Sequence, residues 1–133
     1  KELIPSYIGR EFKIGTSDCF TVVKYYFKKT LNLTINDYSR DNDWARLTPD
    51  LYEKNYANEG FRVVKEAPIE LSDAKLHDVF LFRLLATDYA SHAAVYLNNG
   101  FILHHPHNKY STIEKMPDSY LRRAVLLVRH NTL

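Results

Sequence analysis

The sequence predicts an α+β fold, in which N-terminal helices pack on an antiparallel sheet formed by the later part of the chain. Two observations support this prediction. Apolar residues recur at helical spacing directly after Cys19, and short apolar runs of strand length follow from residue 61 onward. Two of these runs are joined by Asn98-Asn99-Gly100, and an Asn-Gly step between apolar runs is among the strongest signals of an antiparallel hairpin.

The first helix is predicted to begin at Cys19 and to extend for about three turns. Four apolar residues recur along it at spacings of three and four: Phe20, Val23, Phe27 and Leu31. Lysines lie elsewhere on the helical circle and near its end: Lys24, Lys28 and Lys29. Positive charge near the last turn suits the helix dipole. Ser17 or Asp18 can cap the N-terminus, because either side chain can accept a hydrogen bond from a backbone N–H group.

The elements after the first helix are a second helix and five strands. The second helix is predicted from Pro49 to about Asn58, since proline is favoured in a first turn and Gly60 ends the pattern. Five apolar runs are predicted as strands: residues 61–65, 78–82, 92–97, 101–104 and 124–128. The aromatic residues Trp44, Tyr52 and Tyr56 either line a groove or pack in the core, and their spacing favours the core.

Length and composition indicate a single domain that spans residues 1–133. The 18 basic and 16 acidic residues give a net charge of +2, which is too balanced to indicate a nucleic-acid partner. No apolar run reaches the roughly 18 residues of a membrane span, so no membrane insertion is expected, and no signal peptide is visible. Because the chain begins with Lys1 rather than Met, we expect it to be excised from a longer polypeptide.

Cys19 is the only cysteine in the sequence, and its position makes it a candidate nucleophile. At the first turn of a helix, the positive end of the dipole stabilises a thiolate, which is the reactive form of cysteine. The alternative is a small apolar residue packed under the helix, and position alone leaves both alternatives equally open. A single cysteine excludes an intrachain disulfide and a multi-cysteine metal site, and we expect no cofactor.

Two histidines of the predicted hairpin are candidates for a base and its orienting partner. His92 opens the first strand, and His104 closes the second, twelve residues later. Both lie towards the open end of the hairpin, offset by about one residue pair, so their imidazoles can lie side by side. A nucleophilic cysteine needs a base and a third group that holds the ring and tautomer of that base. The alternative for His92 is a surface or capping histidine.

The group His104, His105 and His107 also suggests a metal site, with His92 as a fourth ligand. Strand alternation sends His104 and His105 to opposite faces, however, and Pro106 bends the chain before His107. Zinc is therefore the disfavoured alternative, and no metal ligand is predicted.

Three blocks of sequence occur in a characteristic order. They are G-R-E-F-K-I-G-T-S-D-C-F-T-V-V at residues 9–23, H-D-V-F-L-F at residues 77–82 and S-H-A-A-V-Y-L-N-N-G-F-I-L-H at residues 91–104. Together they resemble the NlpC family of cell-wall cysteine peptidases. The resemblance implies a papain-like NlpC fold with the nucleophile on the first helix. It also implies Cys19 as nucleophile, His92 as general base and His104 as the third polar residue.

The same resemblance implies a set of candidate substrate-binding residues: Phe12, Asp18, Phe20 and Ser91. Four positions depart from the family's pattern. Phe12 stands where the family usually has tyrosine, so a hydroxyl is missing there. Phe20-Thr21 replaces the usual Ser-Gly after the cysteine, and His77 replaces a glycine.

Further segments include D-N-D-W at residues 41–44, D-L-Y-E-K-N-Y at residues 50–56 and the closing R-R-A-V-L-L-V-R-H at residues 122–130. They resemble the C-terminal domain of the tail tip assembly proteins of lambda-type phages. This resemblance implies a peptidase that cuts peptidoglycan stem peptides and has other phage tail tip proteins as partners. Such a protein is made in the host cytoplasm and acts in the host periplasm or cell wall. The alternatives are a weak or inactive structural module of the tail tip, and a related thiol amidase or toxin with another substrate.

Overall fold

The computed structural model describes residues 8–13, 18–36, 52, 55–84 and 90–133. It contains one long helix, α1 (Cys19–Leu31), followed by six strands: β1 (Phe61–Glu66), β2 (Val79–Phe82), β3 (His92–Tyr96), β4 (Phe101–His104), β5 (Thr112–Lys115) and β6 (Ala124–His130). The shorter described elements are a 3-10 helix at Leu71–Asp73 and an α-helix, α2, at Asp118–Leu121. A helix that precedes a set of strands confirms the predicted α+β fold.

The six strands form one antiparallel sheet in the order β1-β6-β2-β3-β4-β5. Strand β6 lies between β1 and β2 rather than at an edge. Strands β2 to β5 follow one another as neighbours, as consecutive antiparallel strands usually do. The hairpin β3–β4, which carries both candidate histidines, therefore lies beside the edge strand β5.

Helix α1 begins at Cys19 because the side chain of Asp18 caps it. Asp18 Oδ1 accepts hydrogen bonds from the Thr21 backbone N–H at 3.0 Å and from the Thr21 hydroxyl at 2.8 Å. The first of these satisfies a backbone donor that has no partner within the helix. The helix ends at Asn32, whose φ of 55° is left-handed. The predicted start of the helix and one of its two predicted caps are thus confirmed.

The core has two halves, one on each face of the sheet, because side chains alternate along a strand. One face packs against α1 and includes Val79, Leu81, Ala93, Val95 and Leu103. The other face collects the alternate residues of the same strands: Phe80, Phe82, Ala94, Tyr96 and Ile102. Full burial of a side chain such as Phe27 or Phe80 stabilises the fold by roughly 1.5–3 kcal/mol. By the same alternation, His92 and His104 belong to the second face.

The turn between β3 and β4 sets the register of these two histidines. Asn98 and Asn99 have φ values of 77° and 57°, in the left-handed region that tight hairpin turns require and asparagine tolerates. The resulting register pairs Ala94 with His104. His92 therefore lies two residues along β3 from the position opposite His104, on the same face, and the predicted offset is confirmed.

The block around His77 and Asp78 has a structural explanation. His77 has a φ of 78°, a conformation that favours glycine, and its Nδ1 lies 2.6 Å from the Tyr26 hydroxyl. Asp78 is fully buried. It accepts two hydrogen bonds from the Arg129 guanidinium, at 2.6 and 2.7 Å, which also raise the pKa of Arg129. This ion pair joins the residue that directly precedes β2 to strand β6.

The described elements differ from the predicted ones mainly at β5 and α2. Strand β5 lies at the sheet edge and alternates half-exposed and exposed residues, so it lacks the apolar run by which the other strands are recognised. Helix α2 is a single turn.

Of the predicted second helix, Tyr52 and Asn55 are helical, whereas its start at Pro49 and the aromatic Trp44 lie outside the described residues. Within the described ranges, no helix is long and apolar enough to span a bilayer.

Candidate active site

Cys19 lies at the start of α1, where the helix dipole favours a thiolate. The residue is only 6% exposed, yet its sulfur contacts polar groups. Sγ lies 2.7 Å from the Tyr52 hydroxyl, and the thiol donates to the Ser91 carbonyl oxygen at 3.9 Å. Because Ser91 directly precedes His92, the sulfur lies against the backbone that carries the predicted base.

His92 and His104 form a hydrogen-bonded pair. His92 Nε2 lies 2.9 Å from His104 Nδ1, and the two rings meet edge to face with centroids 5.1 Å apart. The structure thus brings together the two histidines that their spacing in the sequence predicts as neighbours. Since Nε2 of His92 takes part in this bond, Nδ1 is the nitrogen through which His92 can act on another group.

A carboxylate continues this arrangement beyond His104. His104 Nε2 donates to Glu114 Oε2 at 2.6 Å, and the Glu114 side chain is 43% exposed, whereas that of His104 is fully buried. Glu114 lies on β5, two residues from Thr112, which pairs with His104. We call His92, His104 and Glu114 the hydrogen-bonded row. It runs from the inner part of the site to the solvent-exposed edge of the sheet.

Burial lowers the pKa of both imidazoles in the row below the ordinary histidine value of 6.5. For His92 the shift is large, and the charges of His104, His105 and His107 add to it. For His104 burial outweighs the hydrogen bond and the negative charge of Glu114, which act in the opposite direction. Both imidazoles are therefore neutral at neutral pH, which is the state in which one nitrogen can accept a proton.

Tyr120, on α2, covers the two imidazoles. Its ring centroid lies 5.8 Å from that of His92, 5.5 Å from that of His104 and 5.5 Å from that of Phe82. Burial raises the pKa of its hydroxyl, with smaller contributions from Glu114 and Cys19. The hydroxyl is thus a protonated donor within electrostatic range of both the thiol and the carboxylate.

Three of the predicted substrate-binding residues are buried beside Cys19. Asp18 is 1% exposed, and its carboxylate caps α1. The Ser91 hydroxyl accepts a hydrogen bond from the Leu84 N–H at 3.3 Å. The ring of Phe20 meets that of Tyr52 edge to face, with centroids 6.0 Å apart. All three contribute to local structure, and a role in substrate binding stays a prediction for each.

Phe12, the fourth predicted substrate-binding residue, packs against the histidines that follow β4. Its ring centroid lies 5.4 Å from that of His105 and 4.7 Å from that of His107. His105 Nε2 donates to the Lys109 carbonyl oxygen at 2.8 Å. Among the described residues, no group of three or more His, Cys, Asp or Glu is arranged to hold a metal ion.

Three polar groups of the site do not follow from the sequence patterns. Tyr52 is buried in the core, as its spacing indicates, but its hydroxyl also contacts Cys19. Glu114 follows His104 by ten residues, on a strand that lacks an apolar run and so gives no strand signal in the sequence. Tyr120 has no comparable signal, because α2 is too short to show a period.

Comparison with known proteins gives relatives of two kinds. Residues 9–130 match the NlpC/P60 family. "Tail tip assembly protein K" of Escherichia phage lambda is 32% identical over 127 residues, which make up 96% of this chain and 60% of that protein. The protein of the same name from Escherichia phage N15 is 28% identical over 125 residues, covering 92% of this chain and 49% of that protein. The chain thus spans only about half of each relative.

A solved structure from Staphylococcus aureus subsp. aureus Mu50, described as similar to lipoprotein, NLP/P60 family, has a related fold. Its TM-score is 0.63 at 13% sequence identity, and the match covers 97% of this chain and 39% of that one. At this identity the likeness concerns the fold alone. The family match extends over nearly the whole sequence and contains all three characteristic blocks, so the chain belongs to the NlpC/P60 family.

Proposed function

We propose that this chain is a cysteine peptidase that hydrolyses peptidoglycan stem peptides, with Cys19 as nucleophile, His92 as general base and His104 as the residue that orients His92. One observation carries the proposal: the helix-tip thiol contacts the carbonyl of the residue before His92, and the His92 ring is hydrogen-bonded to that of His104. A thiol at the positive end of a helix, a neutral base and a third polar group are the parts that a cysteine nucleophile needs.

In the proposed reaction, His92 Nδ1 takes the proton of Cys19 Sγ, and the thiolate attacks the carbonyl carbon of the scissile amide. The carbonyl electron pair moves to oxygen, and the backbone N–H of Cys19 at the helix N-terminus donates to this oxyanion. The His92 imidazolium then protonates the leaving nitrogen, and a thioester remains. Water, deprotonated by His92, attacks the thioester and releases the carboxylic acid and the thiol.

The resting contacts of Cys19 indicate which movement the reaction requires. The bond from the thiol to the Ser91 carbonyl is long, at 3.9 Å, and therefore weak. A reaction through His92 therefore requires the thiol to leave this contact and to approach the imidazole. Catalytic hydrogen bonds are often long in substrate-free enzymes and shorten when substrate binds.

The names of the relatives supply the proposed setting. The lambda and N15 proteins are called tail tip assembly proteins. By extension, we propose that this chain is also part of a phage tail tip. It is made in the host cytoplasm and contacts other tail tip proteins. The tail tip meets the host wall during entry, so the periplasm is where a wall peptidase would act.

Digestion of purified peptidoglycan tests the proposal. The protein should release peptide fragments with new amino termini, identified by mass spectrometry, and Cys19→Ala should abolish the release because no thioester can form. His92→Ala should lower the rate by about a hundredfold or more, the usual contribution of a general base. His130→Gln, at the far end of β6, is the matched control and should keep the wild-type rate. Peptide release by Cys19→Ala would refute the mechanism.

A second candidate function is a structural module of the tail tip that keeps the fold without turnover. The 6% exposure of Cys19 and the phenylalanine at position 12 favour it. Alkylation by iodoacetamide at neutral pH separates the two functions, because a nucleophilic thiolate reacts quickly whereas a closed thiol reacts only after unfolding. If the thiol is reactive but wall peptides are not cut, the related thiol amidase becomes the better description.

A further inference from the structure

We infer that Glu114 is a positioning residue, whose carboxylate arranges the protons of His104 and His92 so that the nitrogen of His92 facing the thiol carries a lone pair. This inference rests on the proposed function, because it concerns the base of the same reaction. Glu114 matches none of the three sequence blocks and lies on an edge strand that the sequence patterns do not predict.

The sheet fixes the geometry of the hydrogen-bonded row. His104 Nε2 and Glu114 Oε2 are 2.6 Å apart, and His104 Nδ1 and His92 Nε2 are 2.9 Å apart. The register of β4 with β5 pairs Ile102 with Glu114 and His104 with Thr112, which places Glu114 and His104 on the same face, two residues apart along the ladder. The ladder of the sheet therefore holds the carboxylate beside the imidazole.

The carboxylate of Glu114 determines which ring nitrogens of His104 and His92 carry a proton. A glutamate carboxyl group with access to solvent is ordinarily ionised at neutral pH, and a carboxylate only accepts hydrogen bonds. His104 must then carry its proton on Nε2. A neutral imidazole has one N–H group, so His104 Nδ1 is an acceptor, and His92 Nε2 must donate to it. The proton of His92 is thereby on Nε2, and its Nδ1 has a lone pair.

Glu114 also offsets the positive charge that His92 gains during the reaction. When His92 takes the thiol proton, an imidazolium forms in a buried site where charge is otherwise costly. Among the described residues, His105 and His107 lower the pKa of His92, whereas Glu114 raises that of His104 and His105 lowers it. The Tyr120 ring packs against both imidazoles. Positive charge on His105 or His107 opposes a charge on the row, whereas the Glu114 carboxylate favours it. Glu114 thus supplies a fixed negative charge at the far end of the row.

The alternative explanation of this contact is an ordinary surface ion pair. Exposed pairs of that kind contribute little to stability. The two explanations predict different behaviour of the imidazole protons. A surface ion pair leaves the tautomers of His92 and His104 unchanged when the carboxylate is removed. A positioning residue changes them.

The experiment compares Glu114→Gln with Glu66→Gln, which removes the same charge from the opposite edge strand, β1. Nitrogen NMR of the histidine rings reports which nitrogen carries the proton. In the wild type, both His92 and His104 should carry it on Nε2. In Glu114→Gln, the amide can donate as well as accept, so both tautomers should appear, whereas Glu66→Gln should match the wild type.

The rate of Cys19 alkylation as a function of pH is the second measurement, and it requires no peptidase substrate. Glu114→Gln should raise the apparent pKa of the thiol by about one unit, which slows alkylation at neutral pH about tenfold. Glu114→Asp, which keeps the carboxylate, should recover most of the rate. Wild-type tautomers together with a wild-type thiol titration in Glu114→Gln would overturn the inference.

The two proposals can fail separately. Shifted tautomers and slower alkylation in Glu114→Gln, with no wall hydrolysis by the wild type, would refute the proposed substrate and support the positioning role. If Glu114→Gln does not fold, the wild-type spectrum still decides, because a proton on His104 Nδ1 would overturn the inference by itself.

Discussion

At the scale of single residues, the site depends on hydrogen bonds between particular atoms more than on residue types. Position 12 carries phenylalanine, and its ring packs against His105 and His107. A hydroxyl group nevertheless lies 2.7 Å from the sulfur of Cys19, and it belongs to Tyr52. A polar contact to the proposed nucleophile is thus supplied by a residue outside the three blocks that identify the family.

Tyr52→Phe tests whether this hydroxyl stabilises the thiolate of Cys19. If the Tyr52 hydroxyl donates to a thiolate, its removal raises the pKa of the thiol, because hydrogen bonds to charged groups contribute about 1.5–3 kcal/mol. We expect alkylation of Cys19 at neutral pH to slow by about tenfold or more. Tyr56→Phe, one turn further along the same segment, is the control and should react at the wild-type rate. Equal rates in all three proteins would show that the hydroxyl does not act on the sulfur.

At the scale of elements, the capping of α1 and the β3–β4 turn together place the parts of the site. The Asp18 cap starts the helix at Cys19, and the Asn98-Asn99 turn sets the register of the two histidines. Both the cap and the turn depend on residues that lie close together in the sequence. They explain why the position of Cys19 at the helix start and the relative position of the histidines could be predicted before the fold was known.

Substitutions of Asp18 distinguish its role as the N-cap of α1 from a role in substrate binding. Asp18→Ala should lower the free energy of unfolding by about 1 kcal/mol, since the N-cap is lost. Asp18→Asn should keep most of the stability, because asparagine caps equally well. Urea unfolding measures both changes, and wall hydrolysis is then assayed in the stable Asp18→Asn protein. Normal hydrolysis by Asp18→Asn would contradict the prediction that the Asp18 charge binds substrate.

At the scale of the whole molecule, several histidines are held neutral by burial. The pKa values of His77, His92, His104, His105 and His130 all lie below 6.5, with burial as the largest cause. In the unfolded chain these groups titrate near their ordinary value. Below that value the unfolded state therefore binds more protons than the folded state, and acid favours unfolding.

The free energy of unfolding should accordingly fall as the pH decreases from about 7 to about 5.5, by up to roughly 1.4 kcal/mol per pH unit for each fully neutral histidine. Urea unfolding at several pH values measures this slope. His92→Asn should reduce the slope, because it removes a buried imidazole whose pKa lies well below 6.5. Constant or increasing stability towards acid pH would contradict the burial of neutral imidazoles.

The sequence by itself determined the features that depend on neighbouring residues. These are the α+β class, the helix beginning at Cys19, the tight turn after β3 and the pairing of His92 with His104, because propensity, capping and turn geometry act over a few residues. Only the tertiary structure decided which hydroxyl contacts the sulfur and which carboxylate ends the hydrogen-bonded row. Tyr52 lies 33 residues from Cys19, and Glu114 reaches His104 through an edge strand without an apolar run. Contacts of this kind depend on how the sheet and helix pack together, and no local pattern records them.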